Sequence, residues 1–156
     1  MILFIKNIPI EGPEIIDEYF RSKGYATQVI DVSKDALPKG LNDLEAVIVL
    51  GGPMNVYEED KYPFLKSETE FIYKVVTEGI PFVGICLGGQ LLAKAFCAKV
   101  GRSHREEIGF YDIHLTSQAM HDPLFKGLPQ ETKIFQWHGD MFQIPPGGVL
   151  LASSPD

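Results

Sequence analysis

Along the chain, short stretches of unbroken apolar residues alternate with longer stretches in which apolar positions recur every three or four residues. The segments "ILFIKNI" (2–8), "TQVIDV" (27–32), "EAVIVLGG" (45–52) and "IPFVGI" (80–85) are of the first kind. Near-continuous hydrophobicity over five to eight residues predicts strands covered on both faces. Between them, "PEIIDEYFRSKG" (13–24) predicts a helix with Pro13 near its start and Gly24 past its end. In "YPFLKSETEFIYKVVTEG" (62–79), Phe64, Leu65, Glu68, Phe71, Ile72, Val75 and Val76 fall at helical spacing. "LGGQLLAKAFCAKV" (87–100) carries Leu91, Leu92, Ala95 and Phe96 on one helical face. Strand alternating with helix predicts an α/β fold: a mostly parallel, doubly wound, flavodoxin-like sheet with helices on both faces.

After about residue 100 the rhythm changes. "GFYDIHLT" (109–116), "KIFQWHG" (133–139) and "GVLLASS" (148–154) predict strands with little helix between them, and "HDPLFKGLP" (121–129) allows one helical turn. These strands predict an antiparallel extension, an edge of the same sheet. The chain contains no internal repeat, linker or low-complexity tract, so residues 1–156 read as a single domain.

Composition narrows the function. The formal net charge of −7 and the absence of a lysine or arginine cluster argue against nucleic acid and anionic membranes as partners. No apolar run approaches the ~20 residues of a membrane span, and "MILFIKNIPIEG" lacks the basic leader of a secretory signal. A helix between Cys86 and Cys97 would separate them by about 16 Å, too far for a disulfide. Free thiols and a cytoplasmic setting are expected.

The chemistry concentrates at one turn. Gly84-Ile85-Cys86-Leu87-Gly88 fits the nucleophile-elbow pattern G-x-S-x-G with cysteine for serine, between a predicted strand and a predicted helix. An elbow strains the nucleophile's backbone, and its glycines stand where a β-carbon would collide with neighbouring segments. It also aims the sulfur at the first amides of the helix, which favour a thiolate. The plain alternative is a small buried cysteine in a glycine-rich turn. Cys97, late in the predicted helix beside Phe96, reads as core packing. The backbone N–H of Leu87 is one oxyanion donor, and the loop "VLGGPMNVYEED" (49–60), at the sheet's carboxyl edge, is the candidate for a second. That loop lacks the Gly-Lys-Ser/Thr of a phosphate loop. "EED" (58–60) with Lys61 reads as a solvated rim. His104, His114 and His121 fit no zinc spacing, so neither metal nor cofactor is expected.

Together, "GICLGGQ" (84–90), "LGGPM" (50–54) and "WHGD" (137–140) resemble class I glutamine amidotransferases, in particular the stand-alone subgroup similar to the glutaminase domain of GMP synthase. "EIGFYDI" (107–113) and "DPLFKGLP" (122–129) fall in the order of that subgroup. The resemblance implies that Cys86 attacks the side-chain amide of glutamine to form a γ-glutamyl thioester, with the amides of Gly52 and Leu87 holding the oxyanion. It implies that Met54, Gln90, Trp137, His138 and Gly139 bind the substrate, and that ammonia passes to an acceptor synthase. The family's general base is a histidine in a late Phe-His-x-Glu segment, and none occurs in these 156 residues. The resemblance therefore implies a domain without its closing segment, nearly inactive as it stands. His138 is the one substitute base the sequence offers. Two alternatives stay open: a γ-glutamyl peptidase or hydrolase using the same elbow, and a catalytically inactive remnant that binds without turnover.

Overall fold

A computed structural model describes residues 1–154; residues 155–156, the end of the expected 1–156 domain, lie outside the described residues. Strands β1 (Ile2–Lys6), β2 (Thr27–Asp31), β3 (Ala46–Val49) and β4 (Phe82–Gly84) form a parallel sheet in the order β2-β1-β3-β4. The connecting helices are α1 (Glu14–Ser22), α2 (Phe64–Thr77) and α3 (Leu87–Ala95). Strand alternation sorts the core into two layers. Leu3, Ile5, Val47 and Val49 face α2 and α3, packing on Leu65, Phe71, Ile72, Val75, Leu87 and Leu91. Ile2, Phe4, Ile48 and Leu50 face α1 through Ile16 and Phe20. Both faces therefore carry helix, as a doubly wound sheet requires.

All four strands run the same way, so their carboxyl ends share one edge. The loops after β1 and β3 and the elbow after β4 meet there, at the location where open α/β sheets take ligands.

The helix ends repeat one device. In α1, Gly24 donates to the Arg21 carbonyl and Tyr25 to that of Phe20; in α2, Gly79 donates to Val76 and Ile80 to Val75. Both pairs are Schellman motifs, with glycine at positive φ, +84° and +74°. In α3 the same pair runs from Cys97 to Lys94 and from Ala98 to Ala93, with Cys97 at φ +60°. This corrects the reading of Cys97 as core packing. The helix stops at Ala95, five residues before the predicted end, and Cys97 lies past it, exposed.

The second half also differs from expectation in detail. The antiparallel extension is a sheet of its own, not an edge of the first: β5 (Val100–Leu115) lies between β6 (Glu131–Phe142) and β7 (Ala152–Ser153). β5 starts at Val100, nine residues before the predicted strand, because the polar segment after it is paired with β6 rather than patterned for burial. The β5–β6 register breaks between Arg102 and Glu107, bringing Arg102 opposite Asp140 and Glu107 opposite His138. Phe142, opposite Val100, lies against the start of α3 near Gly89. The end of β6 that carries Trp137 to Asp140 is thereby brought over the elbow.

Candidate active site

Cys86 joins β4 to α3 with φ 52° and ψ −108°, a region that side-chain-bearing residues rarely enter. The flanking glycines make that turn possible. A β-carbon on Gly84 would lie 2.5 Å from the backbone of Gly88 and Gly89, and one on Gly88 would lie 2.4 Å from the Val49 carbonyl oxygen. The elbow packs helix against strand so closely that only hydrogen fits at either position.

Cys86 as a whole residue is exposed, while its sulfur turns into the cleft, 3.8 Å from the Trp137 carbonyl oxygen. The amides of Leu87 and Gly52 both act on it to favour its charged form. The thiol is nonetheless pushed up, against the direction that the elbow alone predicts. Partial burial pushes the Cys86 thiol up, and the carboxylates of Glu11 and Asp140 push it the same way, outweighing the two amides. Glu11 reaches the sulfur from the loop after β1, where its carboxyl borders Gly51.

A cleft of about 340 Å³ opens beside the sulfur. One wall is the loop after β3, with Gly52, Pro53, Met54 and Asn55; the other is Trp137 to Asp140 of β6; Gln90 of α3 and Arg102 of β5 complete it. Every residue singled out as substrate-binding thus borders the cavity of Cys86. The loop after β3 is fastened at its far end, where Lys94 of α3 binds the Val56 carbonyl and pairs with Glu59 at 2.8 Å.

His138 lines the cleft, but its ring is turned elsewhere. Nδ1 faces the Asp140 carbonyl oxygen at 3.1 Å, and Nε2 faces Gln136 Oε1 at 3.1 Å and Glu107 Oε2 at 3.0 Å. Glu107 also accepts from Ser154 at 3.2 Å. Both ring nitrogens are occupied by these partners, and the contact of the Cys86 sulfur is the Trp137 carbonyl instead. That geometry disfavours His138 as a base. Among the described residues, no group of three or more His, Cys, Asp or Glu side chains could hold a metal ion.

Sequence reasoning quoted Asp140 within a motif but gave it no role. It is buried, and its neutral neighbour is the Tyr57 hydroxyl, which burial and the hydrogen bond to Asp140 push up. The nearest cation to Asp140 is Arg102, its partner on the neighbouring strand, with Nε 3.9 Å from Oδ1, an ion pair rather than a hydrogen bond. A buried carboxylate short of donors at the wall of a cleft suits a cationic ligand.

The description "Glutamine amidotransferase class-I" matches residues 13–156. The chain belongs to the class-I glutamine amidotransferase family. It is 33% identical over 155 residues to the glutamine amidotransferase-like protein YfeJ of Salmonella typhimurium, covering 97% of this chain and 65% of that protein. It is 35% identical over 157 residues to a glutamine-hydrolysing GMP synthase of Staphylococcus saprophyticus, covering 99% of this chain but 28% of the synthase. A crystal structure of a glutamine amidotransferase from Thermotoga maritima superposes with a TM-score of 0.90 at 37% identity, over 98% of this chain and 66% of that one. The amidotransferase from Methylobacillus flagellatus gives 0.89 at 31% identity, over 98% and 61%. The chain thus spans about two thirds of YfeJ and of the two amidotransferase structures, and 28% of the GMP synthase.

Proposed function

We propose that this amidotransferase domain cleaves the side-chain amide of glutamine through a thioester on Cys86. Sγ attacks the amide carbon, and the carbonyl oxygen takes up the displaced electron pair between the N–H groups of Gly52 and Leu87. Collapse of that intermediate breaks the C–N bond and leaves a γ-glutamyl thioester, which water converts to glutamate. The proton that leaves the Cys86 thiol is the one the departing nitrogen gains to leave as ammonia, and the water that cleaves the thioester returns a proton to the sulfur. At the other end of the cleft, Asp140 receives the α-ammonium and Arg102 the α-carboxylate. Met54, Gln90 and the backbone from Trp137 to Gly139 line the space between, and His138 orients that segment through Glu107.

One observation carries this reading: a cysteine held at φ 52° by an elbow, with two backbone amides acting on its sulfur, shares a cleft with a buried carboxylate. The α-ammonium also answers the raised thiol. Docked at Asp140, it cancels one of the two negative charges that oppose the thiolate. The relatives named GMP synthase support a synthase as the ammonia acceptor.

Acylation is the step to test, because the sulfur has no imidazole partner among the described residues. A γ-glutamyl nitrophenyl ester has a leaving group that departs without a proton. Incubation should add one γ-glutamyl group to Cys86, visible by intact-protein mass spectrometry. Glutamine should compete with it, and Cys86→Ala should abolish it. Absence of the adduct, or labelling that glutamine leaves unchanged, would sink the proposal.

A further inference from the structure

The turn that carries Gly52 rests on two polar residues that the reaction does not touch. Asn7, directly after β1, and Glu68, in the second turn of α2, are both fully buried. Asn7 Nδ2 donates to the carbonyl of Leu50 at 3.1 Å, one residue before the Gly51-Gly52 pair. A β-carbon on Gly52 would stand 3.0 Å from Asn7 Cβ, so the asparagine is the floor beneath the oxyanion donor. Behind it lies Glu68, on whose carboxyl Asn7 is the polar group that acts.

Three acceptor atoms in this dry site lack a donor: Asn7 Oδ1 and both carboxyl oxygens of Glu68. A carboxylate there has only the Asn7 amide to favour it, and burial opposes it more strongly. A proton on Glu68 supplies an O–H for Asn7 Oδ1. Burial favours that form and pushes the Glu68 carboxyl up to about 8. The neighbouring helical positions Leu65 and Ile72 are filled by hydrocarbon, so an acid here is not explained by packing.

We propose that Glu68 and Asn7 are positioning residues for the oxyanion donor. The Glu68 acid donates to Asn7 Oδ1, which turns the Asn7 amide onto the Leu50 carbonyl and holds the Gly52 N–H over the Cys86 sulfur. This rests on Cys86 being the nucleophile. Loss of the proton removes the O–H from Asn7 Oδ1 and makes the carboxylate a rival of the Leu50 carbonyl for the Asn7 N–H groups.

The other charged groups nearby are engaged or turned away. Lys6 at the end of β1 pairs with Asp31, and Lys94 of α3 pairs with Glu59. Lys66 and Glu70 of α2 are exposed. Beyond the turn, Glu11 and Asp140 act on Cys86 itself.

The test compares two reagents on the whole chain. Iodoacetamide alkylates Cys86 without forming an oxyanion, whereas a glutamine-derived chloroketone forms one. Both need the thiolate, so the ratio of their rates cancels its titration and reports the oxyanion donors. One such donor contributes ~10²–10³ in rate, and misplacing it should lower the ratio about tenfold. The unaltered protein should show that fall as pH rises through about 8, the range set by Glu68. Glu68→Gln, with an N–H where the acid has its O–H, should keep the ratio level. A fall that persists in Glu68→Gln overturns the proposal, as does a high but level ratio in the unaltered protein. Should the variant fail to fold, the curve of the unaltered protein decides alone. A ratio no higher than that of free cysteine at any pH overturns the assignment of Cys86 and this proposal with it.

Discussion

Replacing Glu68 with glutamine should change stability by an amount that depends on pH. The carboxyl stands at about 8 in the folded protein against an ordinary 4.5. Between those values the folded chain keeps a proton that the unfolded chain has released. Unfolding free energy therefore falls as pH rises, by about 1.4 kcal/mol per pH unit. The contribution is most favourable below the unfolded value, declines through the window and levels off above the folded one. From pH 5 to pH 7 the decline is about 3 kcal/mol, a large share of the ~5–15 kcal/mol that holds a domain together. Glutamine does not titrate, so the variant should gain on the unaltered protein by that amount over the same interval. Urea unfolding at pH 5, 6 and 7, followed by far-ultraviolet circular dichroism, measures it. Asp17, Asp31 and Glu58, held below their ordinary values by hydrogen bonds and nearby lysine or arginine, titrate in both proteins and drop out of the difference. A difference constant to within about 0.5 kcal/mol would refute the reasoning. It would mean that Glu68 is ionised when folded and that its oxygens are answered by other donors.

Glu11→Gln should move the alkylation profile of Cys86 toward lower pH, and Asp140→Asn should do so by less, since each removes a charge that opposes the thiolate. Iodoacetamide rates against pH measure both; profiles that do not move would count against the electrostatic account. Gly88→Ala sets a β-carbon 2.4 Å from the Val49 carbonyl and should cost more than about 3 kcal/mol, while Gly101→Ala meets nothing within 4 Å and should stay within about 0.5 kcal/mol. Equal melting temperatures for the two would refute the packing argument. Cys97→Gly places in α3 the residue that ends α1 and α2, and should stabilise by about 1 kcal/mol by removing the left-handed strain at φ +60°. An unchanged or lower melting temperature would speak against that strain.

The parallel half of the fold was legible because burial writes itself into sequence. Strands covered on both faces became apolar runs, and Pro13, Gly24 and Gly79 punctuated the helices. The end of α3 was not, since a Schellman turn with Cys97 in glycine's place carries no visible stop, and Phe96 continues the apolar rhythm. The first residues of β5 were missed because their pairing with β6 is a long-range contact on a polar segment. At the candidate site, Cys86 and Leu87 were legible from local pattern, because an elbow is a local structure, whereas Gly52 was named only through the family resemblance. Asp140, Arg102 and Glu11 could not be found from local pattern. Their meaning arises only when β5, β6 and the loop after β1 converge on the sulfur. The same convergence explains the overestimated thiolate: adjacent amides can be counted along the chain, but opposing carboxylates and lost solvent cannot.

The left-handed backbone at Cys86 has an evolutionary corollary. The mirror image of φ 52° and ψ −108° is ordinary extended territory, so glycine alone could sit there at ease. Strain of this kind costs ~1–3 kcal/mol. Neutral drift therefore has a downhill exit that relaxes the turn and deletes the thiol in a single step. A lineage that keeps cysteine at this corner, generation after generation, resists that exit only while the sulfur remains useful to it.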